Sequence, residues 1–301
     1  MNANTRERST VSNIMRSLHN RSRLTLADRY YHEALEKGYR GELQFDALVE
    51  SLTCDHIYLK DLRLKYYRKT FQIDSLLLVG NKAYIYEVKN YEGEYEIKGD
   101  RLLLSSTKVE VPDPMVQLQR SMSQFRQLLH HFQLPIDVEG YVIFINEKMA
   151  LHNMPKSQYL LKSMTVKQLE AINKTTEKVS QKNKRLATHL LASLQEEKPY
   201  DDLPDYSFET LKKGMLCKHC FSPLERLSMR RSICQRCQLT ENLSESIYRS
   251  IVEYNYLFPE KRLTTPIIHE WCGSIPSTYM VTQVLKKHYK MRKSHRWTYF
   301  E

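Results

Sequence analysis

The sequence predicts an α/β fold with a mixed central sheet flanked by helices, joined to a small zinc ribbon and a helical C-terminal region. Two apolar runs of strand length, residues 73–79 and 83–88, meet across Gly80-Asn81. That dipeptide reads as a hairpin because both residues tolerate positive φ. An amphipathic helix follows at residues 114–132, and then a nearly continuous apolar run at 138–145. Helix, meander, helix and strand in that order imply a mixed sheet between helices. The pairs Cys217/Cys220 and Cys234/Cys237 stand 13 residues apart, within reach of a four-cysteine zinc site.

Each element has its own signal. Residues 1–23 are polar and Arg-rich without an apolar h-region; they read as a basic flexible arm rather than a secretory signal. A main domain is expected over residues 24–198. Thr25 is a plausible N-cap for a first helix, with Asp28 in its first turn. Gly38 and Gly41 are expected to break that helix, so that a second begins near Arg40 with Glu42 in its first turn, where the helix dipole favours a carboxylate. Short strands are expected at 62–66, 71–79, 83–89, 95–97, 101–104 and 108–111. In the helix at 114–132, Met115, Leu118, Met122, Phe125, Leu129 and Phe132 form the core stripe, and Gln117 lies about 100° around from it. Helices near 166–172 and 178–195 close the domain. A linker is assigned to residues 199–212 on its prolines and charges, a zinc ribbon to 213–240, and a helical region resembling a helix-turn-helix to 241–301.

The chemistry gathers on the hairpin. Side chains alternate across a strand, so Glu87 and Lys89 share a face about 7 Å apart, and Asp74 on the partner strand can bring its carboxylate to Glu87. Half-buried like charges are costly unless a cation bridges them, and oxygen ligands favour magnesium or manganese. Asp74, Glu87 and the Val88 carbonyl are the candidate ligands, Lys89 the candidate for orienting water or neutralising charge on phosphate. A solvated ion pair is the plainer reading of Glu87 and Lys89.

The order Gly41-Glu42, Gln72-Ile73-Asp74, Glu87-Val88-Lys89-Asn90-Tyr91 with Gly93, and Pro114 followed by Gln117 resembles the nuclease-related domain (NERD) family of the PD-(D/E)xK nuclease superfamily, over about residues 38–150. The resemblance implies a restriction-endonuclease-like core, metal-dependent phosphodiester cleavage, and metal or catalytic roles for Glu42, Asp74, Glu87, Lys89 and Gln117. No proline precedes Asp74 here.

The four cysteines would close a tetrahedral shell, which makes that zinc structural rather than catalytic; His219 is then superfluous. Cys54 and Cys272 stand apart and read as buried small hydrophobes. With 46 basic and 35 acidic residues the formal charge is +11, and the pI is about 9.2. A mean hydropathy of −0.57 and the lack of a long apolar run point to a soluble, cytoplasmic protein without a membrane partner, and the basic excess to a polyanion. Thr265-Pro266 opens a short helix, Gly273 makes a turn, and Ser274 or Ser277 can cap a second helix whose start would offer Ser277, Thr278, Tyr279 and Gln283 to a DNA groove. Lys286, Lys287, Lys290, Arg292, Lys293 and Arg296 would engage phosphates, while Tyr289, Trp297 and Tyr299 pack a small wing. The expected partner is double-stranded DNA, with a homodimer left open. The function read here is a metal-dependent DNA endonuclease or exonuclease; the alternative is a catalytically silent nuclease fold that binds DNA as a regulator.

Overall fold

The structure is a computed structural model that describes residues 4–155, 158–195, 203–294 and 297–301. The chain divides into two compact units, Met1–Glu7 with Ala34–Lys198 and Arg8–Glu33 with Pro199–Glu301. Helix α1 (Thr10–Arg21) belongs to the second.

In the first unit, the part of α2 (Leu26–Glu50) from Ala34 onward leads into β1 (His56–Tyr66), β2 (Lys69–Val79) and β3 (Lys82–Lys89). A small meander follows, β4 (Gly93–Lys98), β5 (Arg101–Leu104) and β6 (Glu110–Val111), then α3 (Pro114–His131) and β7 (Asp137–Phe144). The unit ends with β8 (Met149–His152), β9 (Tyr159–Leu161), α4 (Lys162–Asn173) and α5 (Gln181–Ala192). The central sheet has the order β1-β2-β3-β7-β9. Its first three strands are antiparallel, while β3, β7 and β9 run parallel. A second sheet, β6-β5-β4-β8, stands beside it.

Both faces of the central sheet are covered. Leu118, Met122, Phe125 and Leu129 of α3 pack with Leu186 and Leu190 of α5 on Leu76, Leu78, Ala83 and Ile85. Phe45 and Val49 of α2 pack with Leu169 of α4 on Leu77, Tyr86 and Val88. The mixed α/β expectation is met.

Two expectations are corrected. Helix α2 runs unbroken through Gly38 and Gly41. Gly41 is a close-approach point instead: a Cβ there would lie 2.6 Å from Asn90 Cβ, so its hydrogen lets the helix touch the chain leaving β3. The arm at 1–23 is structured where described, because basic composition concealed an apolar stripe. Ser9 caps α1 through Ser12 N, and Val11, Ile14, Met15 and Leu18 are buried.

The second unit is built on β10 (Leu224–Arg226), β11 (Arg231–Cys234) and β12 (Thr240–Asn242), an antiparallel sheet. It continues with α6 (Leu243–Leu257), α7 (Thr265–Trp271), α8 (Thr278–His288) and the hairpin β13 (Met291–Ser294) and β14 (Trp297–Phe300). Of the expected linker, residues 199–202 lie outside the described residues. Its remainder buries Phe208 and Leu211, and Phe208 joins Tyr254, Phe258 and Trp271 in an aromatic core. Arg21 closes that core. Its guanidinium lies 4.1 Å from the Trp271 ring centroid, reaches Glu253 at 2.9 and 2.6 Å, and donates to the Lys212 and Gly214 carbonyls. Gly273 turns the chain between α7 and α8 with φ +69° against Gly214 Cα, 3.0 Å from where a Cβ would be.

A buried charge stripped of its partner is strongly destabilising. Arg21→Met should lower the stability of the second unit by about 3–5 kcal/mol, and adding Glu253→Met should recover much of it. Urea denaturation of the three variants checks this; equal stability of Arg21→Met and parent would refute the pairing.

Candidate active site and metal centre

Asp74 reaches the site through a local fault in the sheet. Along β1 and β2, Lys60 pairs with Ser75 and Leu62 with Ile73, while Asp61 and Asp74 drop out of the ladder together. Asp61 takes φ +48°. One extra residue in each strand behaves as a paired bulge. The faces shift in step: Leu59 and Leu76 before it, and Leu62 and Ile73 after it, share the α3 face. The β2–β3 ladder stops at Ser75 and Tyr86. Beyond that point the Asp74 side chain takes the place of a ladder bond, its Oδ2 accepting from Val88 N at 3.1 Å. The N–H and C=O of a strand residue point the same way, so the Val88 carbonyl looks toward Asp74 as well.

Glu87 is buried at 3 % exposure, beside Asp74. Burial, and then the Asp74 charge, push its carboxyl up to about 8 against the opposing pull of Lys89. Lys89 Nζ lies 2.7 Å from Glu87 Oε1. The two form a close ion pair, and the buried Oε1 has no further hydrogen-bond partner. Lys89 is itself held above the usual ammonium range: burial works to lower it, and the Glu87 carboxylate more than offsets this. Its Nζ also donates to Gln117 Oε1 at 3.3 Å. Gln117 stands in the first turn of α3, which Asp113 caps through Met115 N. Thus Asp74, Glu87, Lys89 and Gln117 come together.

Glu42 arrives by a different route. Arg6, with 2 % of its side chain exposed, donates to Glu42 Oε2, to both oxygens of Asp46, to the Asp74 carbonyl and to Ser75 Oγ, each at 2.9 Å. Tyr58 donates to Asp46 Oδ1 at 2.6 Å and meets Ser75 Oγ at 2.9 Å. Burial and the Asp74 charge raise Glu42 to about 7, with Arg6 opposing. Arg6, Asp46, Tyr58 and Ser75 were missed in the sequence. Only Asp46 left a signal, four residues after Glu42 and so on the same helical face.

The donor set fits a hard cation at Asp74 and Glu87. Glu87 keeps a buried oxygen without a hydrogen bond, Asp74 commits Oδ2 to Val88 N, and the Val88 carbonyl faces the same space. Glu42, Asp74 and Glu87 do not all converge within 4.8 Å; among the described residues that closeness belongs to Cys217, Cys220, Cys234 and Cys237.

The four cysteines form a group that could hold a metal ion. Cys217 Sγ and Cys237 Sγ are 3.6 Å apart, Cys220 Sγ and Cys234 Sγ 3.4 Å. A tetrahedron with zinc–sulfur bonds of about 2.3 Å has edges of about 3.8 Å, so the four thiols fit such an ion closely. His219 is not in the group; its N–H donates to Cys217 Sγ.

On the C-terminal helices, Ser277 caps α8 through Met280 N. Thr278, Tyr279, Gln283, Lys286, Lys287, Lys290, Arg292 and Lys293 are exposed, Tyr279 by 71 %. Arg292 pairs with Glu301 at 3.1 Å, and Arg296 lies outside the described residues. Leu263 bridges Phe300, tying the wing hairpin to the segment between α6 and α7. No described helix is long and apolar enough to cross a membrane.

Two outcomes follow. A carboxyl whose folded pKa is raised binds protons more tightly in the folded state, so its favourable contribution is full below about 4.5 and is lost as pH climbs toward 8. Thermal unfolding of parent and Glu87→Gln in magnesium-free buffer should therefore diverge from pH 5 to pH 8.5, the variant gaining relative stability; parallel curves would contradict it. Elemental analysis should find one zinc per chain, and Cys234→Ser should abolish it.

Residues 37–145 match the family model described as the nuclease-related domain. No curated protein and no solved structure matches the chain. The segment carrying Glu42, Asp74, Glu87, Lys89 and Gln117 is a nuclease-related domain.

Proposed function

We propose that this chain is a cytoplasmic, metal-dependent deoxyribonuclease that hydrolyses phosphodiester bonds in double-stranded DNA. The observation that carries the reading is the paired bulge at Asp61 and Asp74, which frees the Asp74 carboxylate to stand with Glu87 and Lys89 at the end of the β2–β3 ladder. Such a gathering of acids serves no packing purpose, and it costs stability unless a cation is recruited.

Asp74, Glu87 and the Val88 carbonyl would hold magnesium or manganese. When bound, such an ion polarises the phosphate and acidifies a water molecule. Lys89, kept protonated by Glu87, is a fixed positive charge rather than a base; it stabilises the negative charge that builds on the phosphate during attack. Gln117 holds the Lys89 ammonium in place and offers its amide to the substrate. Glu42, pinned by Arg6, adds negative potential behind Asp74. The zinc ribbon holds its fold through the four cysteines. Helix α8 would enter the major groove with Ser277, Thr278, Tyr279 and Gln283 at its start. Lys286, Lys287, Lys290, Arg292, Lys293 and Arg296 would engage the phosphates.

A second reading has its own support: Glu42 is engaged by Arg6 rather than free, as a silent scaffold serving a DNA-binding regulator could tolerate. Metal dependence separates the two.

With linear and circular duplex DNA and magnesium or manganese, the parent should cut, and Glu87→Gln and Lys89→Ala should each lose at least about 10²-fold in rate while binding DNA as the parent does. No cleavage by the parent, with DNA binding indifferent to divalent metal, would leave the regulator.

A further inference from the structure

The first unit carries a second feature that the catalytic residues do not use. Strands β1 and β2 are each eleven residues long, and β1 is the sheet's edge. Their tight turn, closed by the Tyr66–Lys69 pair, leaves Tyr67 and Arg68 as its two central residues. Tyr67 occupies the first of these with φ +52°. Glycine normally fills such a slot, because positive φ is costly for a bulky residue. Its ring is 80 % exposed and is met edge-on by Tyr66 at 4.7 Å. Around it Lys65, Arg68 and Lys69 are exposed, and none has an acidic partner among the described residues. An aromatic ring kept in a strained turn, in water, amid three unpaired cations has no role in packing.

The tip is also aligned with the catalytic residues. Tyr66 packs edge-on against His131 at the end of α3, at 6.0 Å, while Gln117 at the start of α3 meets Lys89. Fourteen residues of helix span about 21 Å, and the seven strand residues from Asp74 to Tyr67 about 23 Å. The tip therefore stands about 20 Å from the carboxylates, within one length of a short nucleic-acid strand.

We infer that the β1–β2 tip is a single-strand contact, at which Tyr67 stacks on an unpaired base while Lys65, Arg68 and Lys69 hold the neighbouring phosphates. Basic side chains around a stacking ring form the general recognition device for single-stranded nucleic acid. The inference rests on the nucleic-acid reading above and extends it: the substrate would carry an unpaired segment close to the bond that is cut.

The test is fluorescence anisotropy of the full chain, without divalent metal, on a labelled 20-nucleotide oligo-dT and on a 20-base-pair duplex. Tyr67→Ala should weaken oligo-dT binding about tenfold and duplex binding less than twofold, while Tyr67→Phe binds as the parent does. Tyr67→Gly suits the turn, so it should unfold no earlier than the parent and show the same selective loss. Arg68→Ala should reduce the slope of log affinity against log salt by about 0.7 on oligo-dT. Unchanged oligo-dT binding by Tyr67→Ala and Tyr67→Gly, or an equal loss on duplex, would overturn the inference while leaving the nuclease reading intact. Failure of the parent to bind either nucleic acid would overturn both.

Discussion

The site depends on the burial of one guanidinium. Arg6 joins α2 to β2 by five hydrogen bonds, two of them to Asp46, and these end on carboxylates, a carbonyl and a hydroxyl. Asp46, Glu42, Asp74 and Glu87 crowd into one end of the sheet, and acids so placed repel one another and resist desolvation. Arg6 offsets the first two, Lys89 offsets Glu87, and Lys60 reaches Asp46 and Glu50 at 3.6 and 2.6 Å. Even so, Glu42 and Glu87 stay well above the ordinary carboxylate range. The protein's own cations thus leave a residue of negative charge, centred on Asp74, that a small divalent ion would complete.

The second unit meets the same problem with the same residue type. Arg21 is buried among Glu253, two carbonyls and the Trp271 ring. Both arginines come from the stretch that composition reads as a solvated basic arm. Its charge is in part internal to the fold, and the basic excess on the surface lies elsewhere, on α8 and the wing that follows and on the β1–β2 tip.

What could be read in the sequence follows from range. Alternation and 3.6-residue periodicity are local, so β2, β3, α3 and β7 were legible to within a residue or two, as were α7, α8 and the Ser277 cap. The four cysteines were legible because ligand spacing is a local property. Gly38 and Gly41 misled because glycine's cost in a helix is only about 1 kcal/mol, which burial of Phe45 and Val49 exceeds. Asp74 was placed beside Glu87 by strand pairing. Alternation and register do set it opposite Glu87; the bulge shared with Asp61, by which the carboxylate accepts from Val88 N, is announced by no pattern within either strand. Arg6 acts on residues 36 to 69 positions away, and nothing in its neighbours says so.

That long reach bears on what counts as the inheritable module. Residues 37–145 carry the family pattern, yet a fragment cut to those limits would lack the Arg6 guanidinium, the β9 edge of the sheet and the Leu186 and Leu190 cover from α5. Asp46 and Glu42, one turn apart on α2, would then lack the counter-ion they share. The recognisable segment is smaller than the folding unit, and gene fusion or recombination at its borders would transmit the motif without the charge balance that makes it tenable.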